Sequence, residues 1–466
     1  MSHRPSRYAV VGDGVFRHPA GHLVRPVLHT ANARVHLVDL DTAARLENTF
    51  RPAGATTRPA TTPTAADPGY DARLAAAGLL VDEDRDEAAE VLDAGRSAAR
   101  DRRIRDFVVM PSGYCNMGCG YCGQRHDRVT VAGNHRTALA ERVGRAARSG
   151  RYDRISVRWF GGEPLMAYAV LRDLSQRFLA SADAGGIGYG AKLITNGVLL
   201  DARKLRTLHR DCRVDSIEVT LDGPAETHDA SRPMKNGSGS FRHITAVLAA
   251  ALADDELAGL RFVVRSNVGA GTSAEAFASE LAGAGLADDR VTCYPAPIHP
   301  WGNDVTAVAL SSAEMAAVEL EWFAAYARHG LRFQLLPTAP RRVVCTAVTR
   351  HAEVVAPDGR IYSCTEQPLV PGHDNAALGN LSTLDAAAPR PVGAFDDWYD
   401  AVAARETGCR DCAILPMCGG ACPKLWREGT PPCPPLRTNV RQRLDLFALA
   451  AGYAPVSLSH RPTSSA

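Results

Sequence analysis

The chain has no run of about 18 apolar residues, so none of it reads as a membrane-spanning helix. Its opening residues, Met1-Ser-His-Arg-Pro-Ser-Arg7, lack the apolar stretch of a secretory signal. Charge of either sign is nearly balanced, at a formal +2, so neither nucleic acid nor a membrane surface is expected as a partner on electrostatic grounds. Aromatic residues are few, at 6%, yet 45% of the 466 residues are hydrophobic. That is enough for two or three domains with sizeable cores, on a prior of roughly 100–200 residues each. Cysteine, by contrast, is plentiful. Twelve thiols without a secretory signal point to metal or redox use in a reducing compartment, the cytoplasm, rather than to disulfides.

Three of the twelve fall within eight residues. Cys115, Cys119 and Cys122 are spaced C-x3-C-x2-C, with Asn116, Gly118 and Gly120 between them. Three thiolates on so short a loop can hold three corners of a cubane iron–sulfur cluster and leave one iron open for a substrate. A structural zinc site is the alternative. It wants four closed ligands, and only His126 stands close by as a fourth. With Tyr121 before the third cysteine, the motif resembles that of the radical S-adenosylmethionine (SAM) superfamily. The resemblance implies that the open iron is chelated by the amino and carboxylate groups of SAM. It also implies reductive cleavage of SAM to methionine and a 5′-deoxyadenosyl radical, which takes a hydrogen from the substrate.

From residue 104 apolar strand-like runs alternate with helical stretches, the pattern of a parallel α/β sheet. Six strands are expected, over 104–110, 155–160, 192–195, 216–221, 261–266 and 290–295. Helices are expected at 138–147, 168–181 and 241–253, followed by 311–330, where Ser311 and Glu314 form a capping box. Six units match the partial (β/α)6 TIM-type barrel of the resembled superfamily, with its chemistry at the strand C-termini.

The loops after these strands carry the remaining candidates. Gly161-Gly162-Glu163-Pro164 follows the second strand. Its glycines allow close backbone approach to a ligand, and Glu163 can receive an ammonium group. In the resembled family this loop binds the methionyl amino group. Asn196 ends the third strand. Thr220-Leu-Asp222-Gly ends the fourth and continues as His228-Asp-Ala-Ser-Arg232 and Gly237-Ser-Gly-Ser-Phe241. This resembles the family's S-x-D-G…H-D-x-x-R…G-S-F segment, with Thr220 in place of serine. Arg232 could pair with the SAM carboxylate in bidentate fashion, and Arg265 and Asn267 fit polar contacts to its carboxylate or ribose.

A second cysteine set lies near the C-terminus. Cys345, Gly359 and Cys364 precede Cys409-x2-Cys412-x5-Cys418-x3-Cys422, and Cys433 closes the series. The spacing resembles the SPASM signature, an extension that carries two auxiliary 4Fe–4S clusters; zinc ribbons are the alternative. The family's interleaved wiring implies Cys345, Cys364 and Cys422 for the first auxiliary cluster and Cys409, Cys412, Cys418 and Cys433 for the second. Cys212 and Cys293 read as buried small hydrophobes.

The chain is thus expected to be α/β in four parts. Residues 1–100 form a small α+β N-terminal extension that resembles a leader-peptide-recognition element. Residues 101–330 form the radical SAM partial barrel, 331–440 the SPASM domain, and 441–466 a C-terminal helix and flexible tail. Near the N-terminus, Tyr8–Val11 and Val15-Phe16 flank Gly12-Asp-Gly14 as a hairpin, 34–40 is a further strand, and 51–69 is a loop too polar to bury a core. The resemblance implies SAM and three 4Fe–4S clusters as cofactors, a precursor peptide with a leader as substrate, and a flavodoxin- or ferredoxin-type electron donor. It implies a peptide maturase that installs a crosslink or related oxidative change. Alternatives are formylglycine formation as in sulfatase maturases, small-molecule oxidation, or a non-catalytic metal-cluster scaffold. Sulfatase maturases place an aspartate after the cysteine matching Cys364, whereas this chain has Thr365 and then Glu366.

Overall fold

A computed structural model describes residues 2–47 and 68–456. Nearly all of the expected loop at 51–69 and most of the expected tail lie outside the described residues. The N-terminal strands are β1 (His3–Pro5), β2 (Ala9–Val11), β3 (Phe16–Arg17), β4 (Leu23–His29), β5 (Arg34–Asp39) and β6 (Leu80–Asp82). The expected β2–β3 hairpin does not form: both strands pair antiparallel with β4, which has β5 on its other edge. The Gly12–Gly14 bend is tied elsewhere, Gly12 N donating to the Pro26 carbonyl and Gly14 N to Asp445 Oδ1 at 2.9 Å.

The six expected strands are present as β7 (Ile104–Val109), β8 (Arg154–Trp159), β9 (Gly188–Thr195), β10 (Val214–Thr220), β11 (Arg261–Val268) and β12 (Val291–Pro297). They run parallel and in sequence order. β13 (Arg332–Phe333) continues the sheet beyond β12, also parallel. At the opposite edge β14 (Ala352–Val355) pairs parallel with β7 and leads into antiparallel β15 (Arg360–Tyr362) and β16 (Gly379–Asn380). The result is a ten-stranded sheet with no closing pair between β13 and β16 among the described residues. β17 (Ala454–Pro455) returns to pair with β3.

Strand alternation decides what faces what. On β8, Ile155, Val157 and Trp159 are buried; on β10, Ile217 and Val219; on β11, Phe262 and Val264. These residues join one large core with the covering helices, including Leu139 and Val143 of Gly133–Arg148, Phe178 of Tyr168–Gly185, and Trp322 of Ser312–Arg328. Their alternates, Arg158, Glu218, Thr220, Arg265 and Asn267, line a cavity. A charged side chain within a parallel strand is costly to bury unless it has partners, so this face is a place for polar chemistry.

The C-terminal cysteine region is built from shorter pieces, among them helices of six, four and five residues. Buried charge helps hold it to the sheet. Glu353 of β14 accepts from Arg142 Nε (2.6 Å) and Nη2 (2.8 Å), and from Arg105 Nη2 of β7 (2.7 Å). All three side chains are at most 3% exposed. Burial pushes the Glu353 carboxyl up, but the two guanidiniums more than reverse this and hold it below the ordinary carboxylate value.

Candidate active site

The cysteine loop leaves the end of β7 and is braced on two sides. On one side, Gly118 N donates to the Pro233 carbonyl (2.9 Å), Gly120 N to that of Ser231 (3.1 Å), and Lys235 N to that of Asn116 (3.0 Å). On the other it rests on the Gly161–Gly162 turn after β8. A Cβ on Gly162 would lie 2.8 Å from the carbonyl oxygens of Gly113 and Tyr114. Gly161 has φ +124°, and a Cβ there would lie 2.8 Å from the Ser112 carbonyl. Glycine is therefore demanded at both positions by the cysteine loop itself.

Cys115, Cys119 and Cys122 line one cavity of about 320 Å³. That lies within the ~300–1,000 Å³ span of small-molecule sites. Tyr121, Gly161, Gly162 and Asn196 line it too, as do Thr220, Arg232, Arg265 and Asn267. Eleven of the thirteen barrel candidates thus meet on one wall.

Glu163 and Asp222 stand behind that wall. Glu163 is fully buried, and its carboxylate accepts from Leu165 N (2.9 Å), Thr195 Oγ1 (2.8 Å) and Asn196 N (2.8 Å). Its observed use is to tie the turn after β8 to the end of β9. Asp222 Oδ1 accepts from Asn267 N at 2.7 Å, and its Oδ2 accepts from the Tyr121 hydroxyl. Asp222 N donates to His228 Nδ1 (3.2 Å), so His228 presents Nε2–H to Ser240 Oγ at 3.0 Å. Burial, then the Arg232 charge, lowers the His228 pKa to about 3 and keeps this imidazole neutral.

Burial raises the Cys119 thiol to about 11, with Arg232 opposing and Cys122 and Cys115 adding to the rise. Burial likewise raises Cys115 and Cys122. Thiols so placed gain from a cation that makes them thiolates. Among the described residues no three His, Cys, Asp or Glu side chains converge on a point where a single ion could sit. The three thiols line the cavity together. Arg232 Nε is buried without a partner among the described residues, on a side chain of the same wall, and an anionic group would answer it.

Sequence reasoning did not assign Arg158, Glu218, His299, Trp301 or Glu366 to this site, yet all line the cavity. The legible signal was charge inside buried parallel strands, at Arg158 and Glu218. Trp301 comes from the segment after β12, whose backbone sits directly on the cysteine loop. A Cβ on Gly123 would fall 1.6 Å from the Trp301 carbonyl oxygen. Burial raises the Glu366 carboxyl; Thr365 Oγ1 donates to it at 3.1 Å.

Residues 109–255 match the profile of the Radical SAM superfamily. The chain carries a radical SAM domain. A domain of that superfamily implies an enzyme with SAM and a 4Fe–4S cluster as cofactors. No curated protein sequence matches the chain. Among solved structures, that of anSMEcpe with bound AdoMet and Kp18Cys peptide has the same fold, with a TM-score of 0.55 at 16% identity over 75% of this chain and 98% of that one. A histidine-tagged form of anSMEcpe with bound AdoMet gives 0.54 at 16%, over 75% and 97%. Streptococcus suis SuiB bound to precursor peptide SuiA gives 0.47 at 13%, over 93% and 98%.

Beyond the radical SAM domain, Cys409, Cys412, Cys418 and Cys433 line a second, smaller cavity with Arg437, whose Nη1 donates to Cys433 Sγ at 2.9 Å. Burial and Glu366, and then the neighbouring Cys345 and Cys422, push the Cys364 thiol well up. Cys409, Cys412, Cys418 and Cys433 thus stand as one group of four. All twelve cysteines are free of disulfides. Cys212 and Cys293 are buried in the main core. Among the described residues no helix is long and apolar enough to cross a membrane.

Proposed function

We propose that this protein is a radical SAM peptide maturase with three 4Fe–4S clusters. The carrying observation is the shared wall: three thiols beside a buried guanidinium whose Nε lacks a partner among the described residues. Cys115, Cys119 and Cys122 would hold the first cluster, and Arg232 would take the SAM carboxylate. Gly161, Gly162, Asn196, Thr220, Arg265 and Asn267 would complete the SAM contacts, with Glu163 and Asp222 supporting from behind. When bound, the cluster supplies the electron that splits SAM into methionine and the 5′-deoxyadenosyl radical. The chain's part is to hold the target carbon in line and keep water out. The segment carrying Trp301, seated on the cysteine loop, forms the part of the wall that would do the latter.

Cys345, Cys364 and Cys422, and separately Cys409, Cys412, Cys418 and Cys433, would hold the auxiliary clusters, through which an electron would return after the hydrogen is taken. A flavodoxin- or ferredoxin-type donor in the cytoplasm would supply the reducing electron. A peptide substrate is supported by anSMEcpe, whose structure, of the same fold, has bound AdoMet and Kp18Cys peptide. The N-terminal sheet is the candidate site for a leader, and a crosslink or related oxidation is the product class. A second reading, formylglycine formation, is favoured by one observation: Glu366, one residue beyond the aspartate position of sulfatase maturases, lines the cavity. A base must sit within reach of its proton, and Glu366 would be the base in that reading.

The test is anaerobic iron and sulfide content, with dithionite-driven SAM cleavage, on reconstituted protein. About twelve irons and released 5′-deoxyadenosine support the reading. Zinc without deoxyadenosine refutes it. Mass spectrometry of a cysteine peptide and of candidate precursor peptides then separates formylglycine from crosslinks.

A further inference from the structure

Resting on that reading, we propose that the Tyr121 hydroxyl is a positioning group for SAM, fixing the Arg232 guanidinium on the cavity wall. A phenol has one proton and two lone pairs to offer, and here all three are engaged. The proton goes to Asp222 Oδ2, while Arg232 Nη1 and Asn267 Nδ2 (the latter at 2.9 Å) donate to the oxygen. One atom therefore joins the cysteine loop, the segment after β10, the C-terminal part of β11, and the end of helix Ala225–Ser231 that delivers Arg232.

Little else among the described residues holds Arg232. Its Nη1 lies 3.5 Å from Asp222 Oδ2, and its Nη2 meets the Met117 thioether at 3.9 Å. Asp222 is secured independently, by Asn267 N and by the His228–Ser240 relay. The tyrosine oxygen is thus the link between a fixed carboxylate and an otherwise loosely held guanidinium. Removing it leaves the aromatic ring in place and takes away the alignment. The tyrosine acts on SAM through arginine and touches no reacting atom by this route.

The experiment compares reconstituted full-length wild type with Tyr121→Phe. It reads iron content, equilibrium SAM affinity, and the electron paramagnetic resonance spectrum of the reduced cluster with and without SAM. The expected result is unchanged iron and an unchanged SAM-free spectrum, with SAM affinity weaker by about tenfold and KM for SAM raised more than kcat falls. Affinity within about twofold of wild type at equal iron would overturn the proposal. If the phenylalanine variant fails to hold iron, Asp222→Asn, outside the cysteine loop, loosens the same link and must weaken SAM binding to sustain it. Wild type that binds no SAM would instead overturn the radical SAM reading.

Discussion

The two cysteine regions are built on opposite plans. Cys115, Cys119 and Cys122 crown a sheet whose apolar core runs through six strands and their helices. Their loop is tied by backbone hydrogen bonds to neighbouring loops. The set from Cys345 to Cys433 lies among short helices and small apolar clusters, in which Cys364 and Cys409 themselves serve as packing residues. A segment with so little core depends on cross-links or metals for its fold. On the proposed reading, the first region is a scaffold that would receive a cluster, and the second is a fold that clusters would complete.

Breaking the first set should therefore cost chemistry and leave the fold. Cys115→Ala, Cys119→Ala and Cys122→Ala together are expected to abolish deoxyadenosine release and remove about a third of the iron. Thermal melting should stay close to wild type; a collapsed transition would refute the contrast. Breaking the second set should do the reverse. Cys409→Ala with Cys412→Ala is expected to lose iron and open the region around residues 398–435 to limited proteolysis, and unchanged iron or protection would count against it.

The junction between the two regions gives a smaller effect. Glu353→Gln leaves two buried guanidiniums without their counter-charge, a loss on the order of 3–5 kcal/mol, measurable by denaturant unfolding. The pH dependence sharpens this. Because the folded Glu353 carboxyl lies below its ordinary 4.5, its contribution is full above that value and is lost as pH falls through the folded one. The variant should lack this part of the acid slope. Smallest is Gly123→Ala, where the new methyl must push the Trp301 backbone aside. We expect intact clusters, several-fold more uncoupled SAM cleavage, and lower peptide turnover, read by the ratio of deoxyadenosine to modified peptide.

The parallel sheet was the legible part, because apolar parallel strands of about five to eight residues, bounded by glycine and proline loops, announce themselves. The cysteine spacings and the Gly161–Gly162 turn were legible for the same local reason. β4 was not read, since Pro26 sits in its middle and proline argues against a central strand. β14 is four residues long, and Glu353 within it looks like a surface residue until Arg105 and Arg142 arrive from more than two hundred positions away. Glu163 shows the same limit: its type suggested a ligand contact, and only the fold shows it turned toward Thr195 and Asn196. Distant partners decide such cases, and a local pattern does not contain them.

The pairing of β17 with β3 sets an order of events during synthesis. Phe16 and Arg17 leave the ribosome early, but Ala454 and Pro455, and the Asp445 side chain that caps Gly14, emerge only after both cysteine regions have been made. The N-terminal sheet therefore cannot be finished before the rest of the chain is translated. Its completion marks a polypeptide in which all twelve thiols have already been made.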